Sequence, residues 1–136
     1  MSLDRITFFV PGPPIGKESV RKGSHGWYIP AKTRNYMDLV SWHAREAMRA
    51  REPFQGPLRM SFRAVFSIPK SWSQEKRRAF GSHYHTSKPD VDNIHKAIGD
   101  ACNKIVWDDD AQVCAGEHLK EYGEKPGVRI IIEELT

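Results

Sequence analysis

Hydrophobic and polar positions alternate most regularly in residues 58–68. One face carries only apolar side chains, namely Leu58, Met60, Phe62, Ala64, Phe66 and Ile68, and the other carries arginine and serine at residues 59, 61, 63 and 67. Because successive side chains of a strand point to opposite faces, this pattern predicts a half-buried β-strand. A shorter alternation predicts a strand at residues 4–10. Residues 112–121 and 128–134 predict a final hairpin around Gly123, Pro126 and Gly127.

Apolar residues recur at helical spacing in two segments. Thr33 is a predicted N-cap, and a helix from there to about Arg51 is predicted by Tyr36, Val40, His43 and Ala47, with Leu39 beside them. A second main helix is predicted to begin near Asp92. The 100° step per residue places Ile94, Ile98, Ala101 and Ile105 on its buried stripe and Lys96, Gly99 and Asn103 on the opposite face.

The segments between these elements are rich in turn-forming and basic residues. Residues 11–32 combine Gly, Pro, Lys and Arg, which predicts a loop. Ser71 and Gln74 resemble a capping box, which predicts a short basic helix through residues 75–78 that stops near Gly81. We therefore predict a single α+β domain over residues 1–136, with a mixed sheet of about four strands and two main helices.

Composition adds constraints on the class of protein. The 136 residues are 39% hydrophobic and 28% charged, which is typical of a globular domain. The opening Met-Ser-Leu-Asp-Arg lacks the hydrophobic region of a signal peptide and no apolar run is long, so we expect a cytoplasmic protein without a membrane partner. Cys102 and Cys114 are too far apart for a CxxC motif and are predicted to be reduced and structural.

Charge is distributed unevenly along the chain. Residues 1–88 contain 16 Lys and Arg against 6 Asp and Glu, a net of +10, whereas residues 89–136 contain 5 against 11, a net of −6. A basic surface suits a polyanion such as DNA. The acidic residues 89–136 would need a cation between their carboxylates and the phosphates of such a polyanion.

The acidic residues concentrate in two stretches, SKPDVDNIHK at residues 87–96 and WDDDAQV at residues 107–113. Pro89 favours an extended approach, in which Asp90 and Asp92 point the same way and Asp92 is the predicted N-cap of the second helix. Carboxylates with water and substrate phosphate are the usual ligands of Mg²⁺. On spacing alone, aspartates that merely serve turns and caps remain an alternative.

Lys96 lies one helical turn beyond Asp92 and would stabilise charge on a phosphate held there. The alternative is an ion pair with Asp92 or Asp100 on the helix surface, because residues four apart are neighbours.

Together these stretches carry a family resemblance. D-x-D-N-x-x-K at residues 90–96, D-A at residues 100–101 and W-x-D-D-A-Q-V at residues 107–113 resemble the RusA family of Holliday-junction resolvases. These are small Mg²⁺-dependent endonucleases of bacteria, often found on phages and prophages. The similarity extends to the opening strand, its basic loop and the final hairpin, and therefore covers most of the chain.

The resemblance implies a set of catalytic residues. The catalytic carboxylates and metal ligands would be Asp90, Asp92 and Asp110, and the functional lysine would be Lys96. Because three aspartates stand where two are expected, Asp109 remains an alternative ligand. The resemblance also implies Mg²⁺, with Mn²⁺ as an alternative, and a homodimer that makes paired symmetric nicks in four-way DNA during recombination and repair.

Basic and aromatic residues suggest where DNA would bind. The candidate contacts are Lys17, Arg21 and Lys22 in the loop, Lys76, Arg77 and Arg78 in the basic helix, and Lys88, with solvated surface charge as the alternative for each. His83 and His85 suit a phosphate contact better than zinc. Trp27, Trp42 and Trp107 are predicted core residues, although a Trp or Tyr in residues 23–30 is a candidate to stack on an opened base.

Two other functions stay open from the residues alone. One is a metal-dependent nuclease for flaps, other branched intermediates or phage DNA. The other is a non-catalytic DNA-binding accessory protein in which the aspartates are structural.

Overall fold

The computed structural model describes residues 4–80 and 83–136. Its helices are α1 (Ala31–Met48), α2 (Gln74–Phe80) and α3 (Val91–Cys102). Its strands are β1 (Arg5–Pro11), β2 (Arg21–Gly23), β3 (Gly26–Tyr28), β4 (Leu58–Ser67), β5 (Val113–Ala115), β6 (His118–Gly123) and β7 (Gly127–Glu134). Within these ranges, no helix combines the length and the apolar character needed to cross a membrane.

Five strands form one mixed sheet with β4 near its centre. β7 lies antiparallel between β1 and β4, while β5 and β6 both pair in parallel with the other edge of β4. The predicted α+β fold with a mixed sheet is confirmed, with five strands instead of about four. The predicted final hairpin is wrong: Ile130 of β7 pairs with Phe8 and Phe62, so both edges of β7 are occupied and β6 lies beyond β4.

The alternating faces form the core as the sequence predicts. Apolar residues of β1, β4 and β7 are buried at alternate positions, namely Ile6, Phe8, Val10, Leu58, Met60, Phe62, Ala64, Phe66, Val128, Ile130 and Ile132. β4 ends at Ser67, so Ile68 lies outside the strand. Helix α1 packs against β1 and α3, so the two main helices cover the sheet together.

Helix α1 begins earlier and is rotated relative to the prediction. Its N-cap is Pro30, and Thr33 is a fully buried residue inside the first turn, so the Thr33 cap is wrong. The buried stripe is Thr33, Tyr36, Val40, Ala44 and Met48. Leu39, which was predicted beside the stripe, is 38% exposed.

Two shorter elements also differ from expectation. The predicted loop at residues 11–32 contains the hairpin of β2 and β3, which forms a separate two-stranded sheet. The basic helix α2 is confirmed, but its cap is Ser73 instead of Ser71, since the Lys76 amide donates to Ser73 Oγ at 3.1 Å. The predicted end near Gly81 lies outside the described residues.

Candidate active site

Helix α3 carries the first acidic stretch, and Asp90 is its N-cap. Asp90 has an extended backbone (ψ 154°), and its carbonyl accepts from the amides of Asn93 and Ile94 at 3.1 Å. Asp92 is therefore inside the first turn, and the prediction that Asp92 caps the helix is wrong. Neither the Asp90 nor the Asp92 carboxylate is buried, and that of Asp90 makes no capping hydrogen bond. Both carboxylates are accessible to a cation beside the positive end of the helix dipole.

The apolar stripe of α3 holds the helix in place. Ile94, Ile98 and Ala101 are buried as predicted, together with Ala97 and Cys102. Ile105 lies beyond the end of the helix and packs half-buried against the core. The burial of one side explains why the polar side of α3 faces outward.

Lys96 stands on that outward side. Its Nζ lies 3.9 Å from Asp92 Oδ2, and the two side chains are 62% and 69% exposed. An exposed pair at this distance contributes little to stability. The amine is therefore available to a phosphate.

The second acidic stretch returns to α3 because Trp107 is anchored in the core. Trp107 is fully buried, and its Nε1 donates to Asp110 Oδ1 at 2.8 Å. Asp110 and Lys96 line one cavity of about 140 Å³, together with His95, Gly99 and Asp100. Sequence periodicity cannot show whether residues 107–113 return to α3, and the structure shows that they do.

The neighbouring aspartates have other partners. Asp109 caps a 3₁₀ turn at Asp110–Gln112, and its Oδ1 accepts from the Ala111 amide at 2.9 Å. Asp108 Oδ2 accepts from Gln55 at 2.7 Å. Among the three aspartates, Asp110 alone is seen facing the cavity beside α3.

Gln112 is a structural residue that the sequence analysis did not single out. Its Nε2 donates to the carbonyls of Phe54 and Gly56, and its Oε1 accepts from the amides of Asp108 and Asp109. These four bonds hold the acidic turn in position. The capping-box spacing of Asp109 and Gln112 was a signal available in the sequence.

The basic loop before β2 is packed against the start of α3. A Cβ atom on Gly16 would lie 2.8 Å from the Pro89 Cβ, and the Lys17 amide donates to the Asn93 carbonyl at 2.9 Å. The Lys17 ammonium forms an ion pair with Asp100. Lys17 is therefore paired within the protein, because close backbone packing at Gly16 holds the loop beside α3.

A basic cleft lies on this side of the molecule. Its volume is about 450 Å³, and its polar lining includes Lys17, Lys32, Lys88, Asp90 and Asn93. Three lysines thus line the same cleft as the Asp90 carboxylate, together with Glu18, and this mixture of charges suits a phosphate bridged to a carboxylate by a cation.

Lys120 is a further residue near the site that the sequence analysis missed. Its Nζ donates to the Ser87 carbonyl at 2.6 Å, and backbone bonds join His83 and His85 to β6. Partial burial lowers the pKa of Lys120, while the charge of Asp90 acts in the opposite direction. Lys120 therefore ties the chain leading into Asp90 to the sheet.

The two histidines before the acidic stretch belong to an aromatic cluster. His85 stacks on Phe66 with ring centres 3.7 Å apart and also packs against Tyr122. Burial, followed by the charge of Lys120, lowers the pKa of His85. The neutral ring thus serves packing.

Another histidine stands between Asp92 and Lys96 in the sequence. His95 lines the Asp110 cavity, and burial, followed by the charge of His118, lowers its pKa, with Asp110 opposing. His95 is therefore a largely neutral imidazole beside Asp110.

The basic residues of α2 are partly engaged within the protein. Lys76 Nζ lies 4.6 Å from the centre of the Trp72 ring, and Arg77 donates to the carbonyls of Trp72 and Pro69. Arg78 is exposed. Arg77 therefore stabilises the preceding turn, and Lys76 and Arg78 remain for other contacts.

The tryptophans differ from expectation. Trp107 is in the core as predicted, but Trp27 and Trp42 are 71% and 55% exposed, so the core assignment is wrong for these two. Trp27 lies in β3, outside the main sheet, and Trp42 lies on the outer face of α1. Neither side chain packs against the main sheet.

The carboxylates near α3 suit a hard divalent cation. No three His, Cys, Asp or Glu side chains converge on one ion position within residues 4–80 and 83–136. Mg²⁺ does not require such convergence, because it is commonly held by one or two carboxylates with water and substrate phosphate. Asp90, Asp92 and Asp110 each supply a carboxylate of the kind that this mode of binding uses, although Asp90 and Asp110 line different cavities.

Comparison with known proteins agrees with this chemistry. The family model described as "Endodeoxyribonuclease RusA" matches residues 11–133. A protein of Bacillus subtilis (strain 168) named "Uncharacterized protein YqaN" is 32% identical over 142 residues, which cover 98% of this chain and 99% of the relative. Both acidic stretches and the basic cleft lie within the family match. The chain therefore belongs to the RusA endodeoxyribonuclease family and is an endonuclease.

Proposed function

We propose that this endonuclease resolves four-way DNA junctions by paired symmetric nicks and depends on Mg²⁺. The observation that supports this most directly is the position of Asp110 beside Lys96 on the polar side of α3, with Asp90 in a basic cleft at the start of the same helix. Carboxylates that can hold a cation, beside ammonium groups that can contact phosphate, suit metal-assisted phosphodiester hydrolysis.

Each residue has a distinct proposed role. Asp90, Asp92 and Asp110 hold the cation, with Asp109 as the structural neighbour that caps the turn. Mg²⁺ held by these carboxylates would supply Lewis-acid polarisation of the phosphate and a lower pKa for a coordinated water. Lys96 donates to a phosphate oxygen and stabilises the charge that develops there.

The DNA lies against the basic cleft in this proposal. Lys88 and Lys32 reach backbone phosphates from its walls, and Lys17 positions the loop through Asp100. Further phosphate contacts come from exposed basic residues outside the cleft, namely Arg21, Lys22, Lys76 and Arg78, while Arg77 acts through the turn that it holds. These contacts are sequence-independent and weaken with salt.

Two nicks in strands of like polarity require two active centres. A homodimer with two-fold symmetry would match the symmetry of the junction. The homodimer, the prophage origin and the cytoplasmic location remain predictions.

Nicking of strand-labelled DNA tests the function. We expect the wild-type protein in Mg²⁺ to nick a synthetic four-way junction at symmetric positions, to nick a closed-ended linear duplex much more slowly, and to lose activity in EDTA. Mn²⁺ should replace Mg²⁺. Asp90→Asn should bind the junction without nicking it, because it loses a cation ligand and keeps the fold.

Three results would contradict parts of the proposal. Nicking in EDTA would show that the reaction does not require a divalent metal. A flap cut faster than the junction would favour the branched-DNA nuclease, and a monomer on the junction by sedimentation would remove the symmetric mechanism.

A further inference from the structure

The hairpin of β2 and β3 projects from the molecule with aromatic residues in solvent. Every residue of both strands is exposed, and the hairpin forms no ladder with the main sheet. Trp27 is 71% exposed and Tyr28 is 47% exposed. Exposed tryptophan is uncommon on a surface unless it contacts something else.

The two faces of the hairpin each pair a cation with an aromatic ring. Lys22 is directly opposite Trp27, and Arg21 is directly opposite Tyr28. Residues that are directly opposite share a face, so Lys22 stands beside Trp27. Arg21 is engaged with Glu18 at 3.0 Å, whereas Lys22 has no ion pair among the described residues.

The two aromatic rings of the hairpin differ in how much of their surface is open. A Cβ atom at Gly23 would lie 3.1 Å from Cε1 of Tyr28, so the Tyr28 ring lies against the strand at this glycine. Trp27 points to the opposite face and keeps more of its surface open. Trp27 is therefore the ring available for stacking.

The hairpin begins at the basic cleft. Lys17, Glu18 and Ser19 line the cleft together with Asp90, and β2 begins two residues later at Arg21. Lys32, just inside α1, follows the hairpin in the chain and also lines the cleft. Residues just before and just after the hairpin therefore line the cleft, so the base of the hairpin lies close to it.

We propose that this hairpin recognises the branch point of the DNA, with Trp27 stacking on a base that is unpaired or unstacked there and Lys22 contacting the adjoining phosphate. The inference rests on the proposed function and identifies the residues that select its substrate. Aromatic rings stack on any base with an open π-face, and a cation beside the ring suits the attached phosphate.

A base fits this surface better than a protein partner does. Two aromatic side chains supply roughly 300–500 Å², which is below the roughly 800 Å² per partner of a stable protein interface. The cations also flank the rings instead of surrounding an apolar patch. Continuous duplex offers no open base face away from its ends, so the contact would favour branched DNA over linear DNA.

Binding measured without divalent metal tests this inference separately from catalysis. The probes are a four-way junction and a linear duplex whose ends are closed by loops far from the test region. We expect Trp27→Ala to weaken junction binding by about 5- to 150-fold, the range for loss of one stacked base, with little change on closed duplex. Trp27→Phe keeps a π-face and should restore most of the affinity.

Trp42→Ala is the matched control, since Trp42 is also exposed but lies on α1. It should bind both probes as the wild type does. Junction DNA should quench the tryptophan emission of the wild type and of Trp42→Ala, and the quenching should be lost in Trp27→Ala. Thermal unfolding should be unchanged in all three variants because neither ring is buried.

Other outcomes would overturn the inference. An equal loss on both probes would make Trp27 a general backbone contact, and a change in oligomeric state would make the hairpin a subunit interface. If the wild type nicks junctions and Trp27→Ala binds them as tightly as the wild type does, only the hairpin's role is refuted. A wild-type protein that does not nick junctions at all would instead refute the proposed function.

Discussion

Asparagine substitutions at Asp109 and Asp110 separate two neighbouring carboxylates by their chemistry. In Asp110→Asn the amide oxygen still accepts the bond from Trp107 Nε1, and in Asp109→Asn the side chain still caps the 3₁₀ turn, since Asn caps about as well as Asp. Each variant loses one negative charge and keeps its hydrogen bond. We expect Asp110→Asn to slow nicking by about 100-fold or more and Asp109→Asn to stay near the wild-type rate.

Alanine substitutions at the same positions measure the structural contribution. Asp110→Ala leaves the Nε1 donor of fully buried Trp107 without its acceptor, which should lower the free energy of unfolding by about 1–3 kcal/mol. Asp109→Ala removes the cap and should lower it by about 0.5–2 kcal/mol. Each kcal/mol corresponds to roughly 4 °C of melting temperature for a domain of this size.

The assay is single-turnover nicking of a labelled four-way junction with enzyme in excess, beside thermal unfolding of the same preparations. Fast nicking by Asp110→Asn together with slow nicking by Asp109→Asn would reverse the assignment of the ligand. An unchanged melting temperature in Asp110→Ala would show that the Trp107 bond does not stabilise the fold.

Two further predictions concern a lysine and the cysteines. Lys96→Met should slow single-turnover nicking by about 100-fold or more with little loss of junction affinity; a normal rate would assign Lys96 to a surface ion pair. Burial raises the pKa of the Cys102 thiol from 9.0 to about 12, so iodoacetamide at pH 8 should modify exposed Cys114 first, and Cys102 only after unfolding, as read by mass spectrometry. Because the folded pKa is the higher one, this thiol's contribution to stability is lost as the pH rises from about 9 towards 12. Rapid alkylation of both cysteines in the native protein would refute the burial.

The sequence by itself determined the elements whose patterns are local. The alternation in β1 and β4 and the apolar stripe of α3 were predicted correctly, because each is a period that repeats within one segment. The acidic motifs were also sufficient to indicate the family. Their order and spacing are properties of the chain and need no knowledge of its neighbours.

The tertiary structure decided which strands are neighbours. Alternation shows which face of a strand is buried but not which strand lies beside it, so the last two strands were wrongly paired. The insertion of β7 between β1 and β4 depends on contacts between residues far apart in the chain. The exposure of Trp27 likewise depends on the position of the β2 and β3 hairpin outside the main sheet.

The tertiary structure also distinguished residues that look alike in the sequence. Asp108, Asp109 and Asp110 are chemically identical, but they differ in their partners, which are Gln55, the Ala111 amide and Trp107. The buried Trp107 and the four bonds of Gln112 orient the turn so that Asp110 faces α3. A carboxylate's role is set by its direction and its surroundings, and those exist only after distant parts of the chain have packed together.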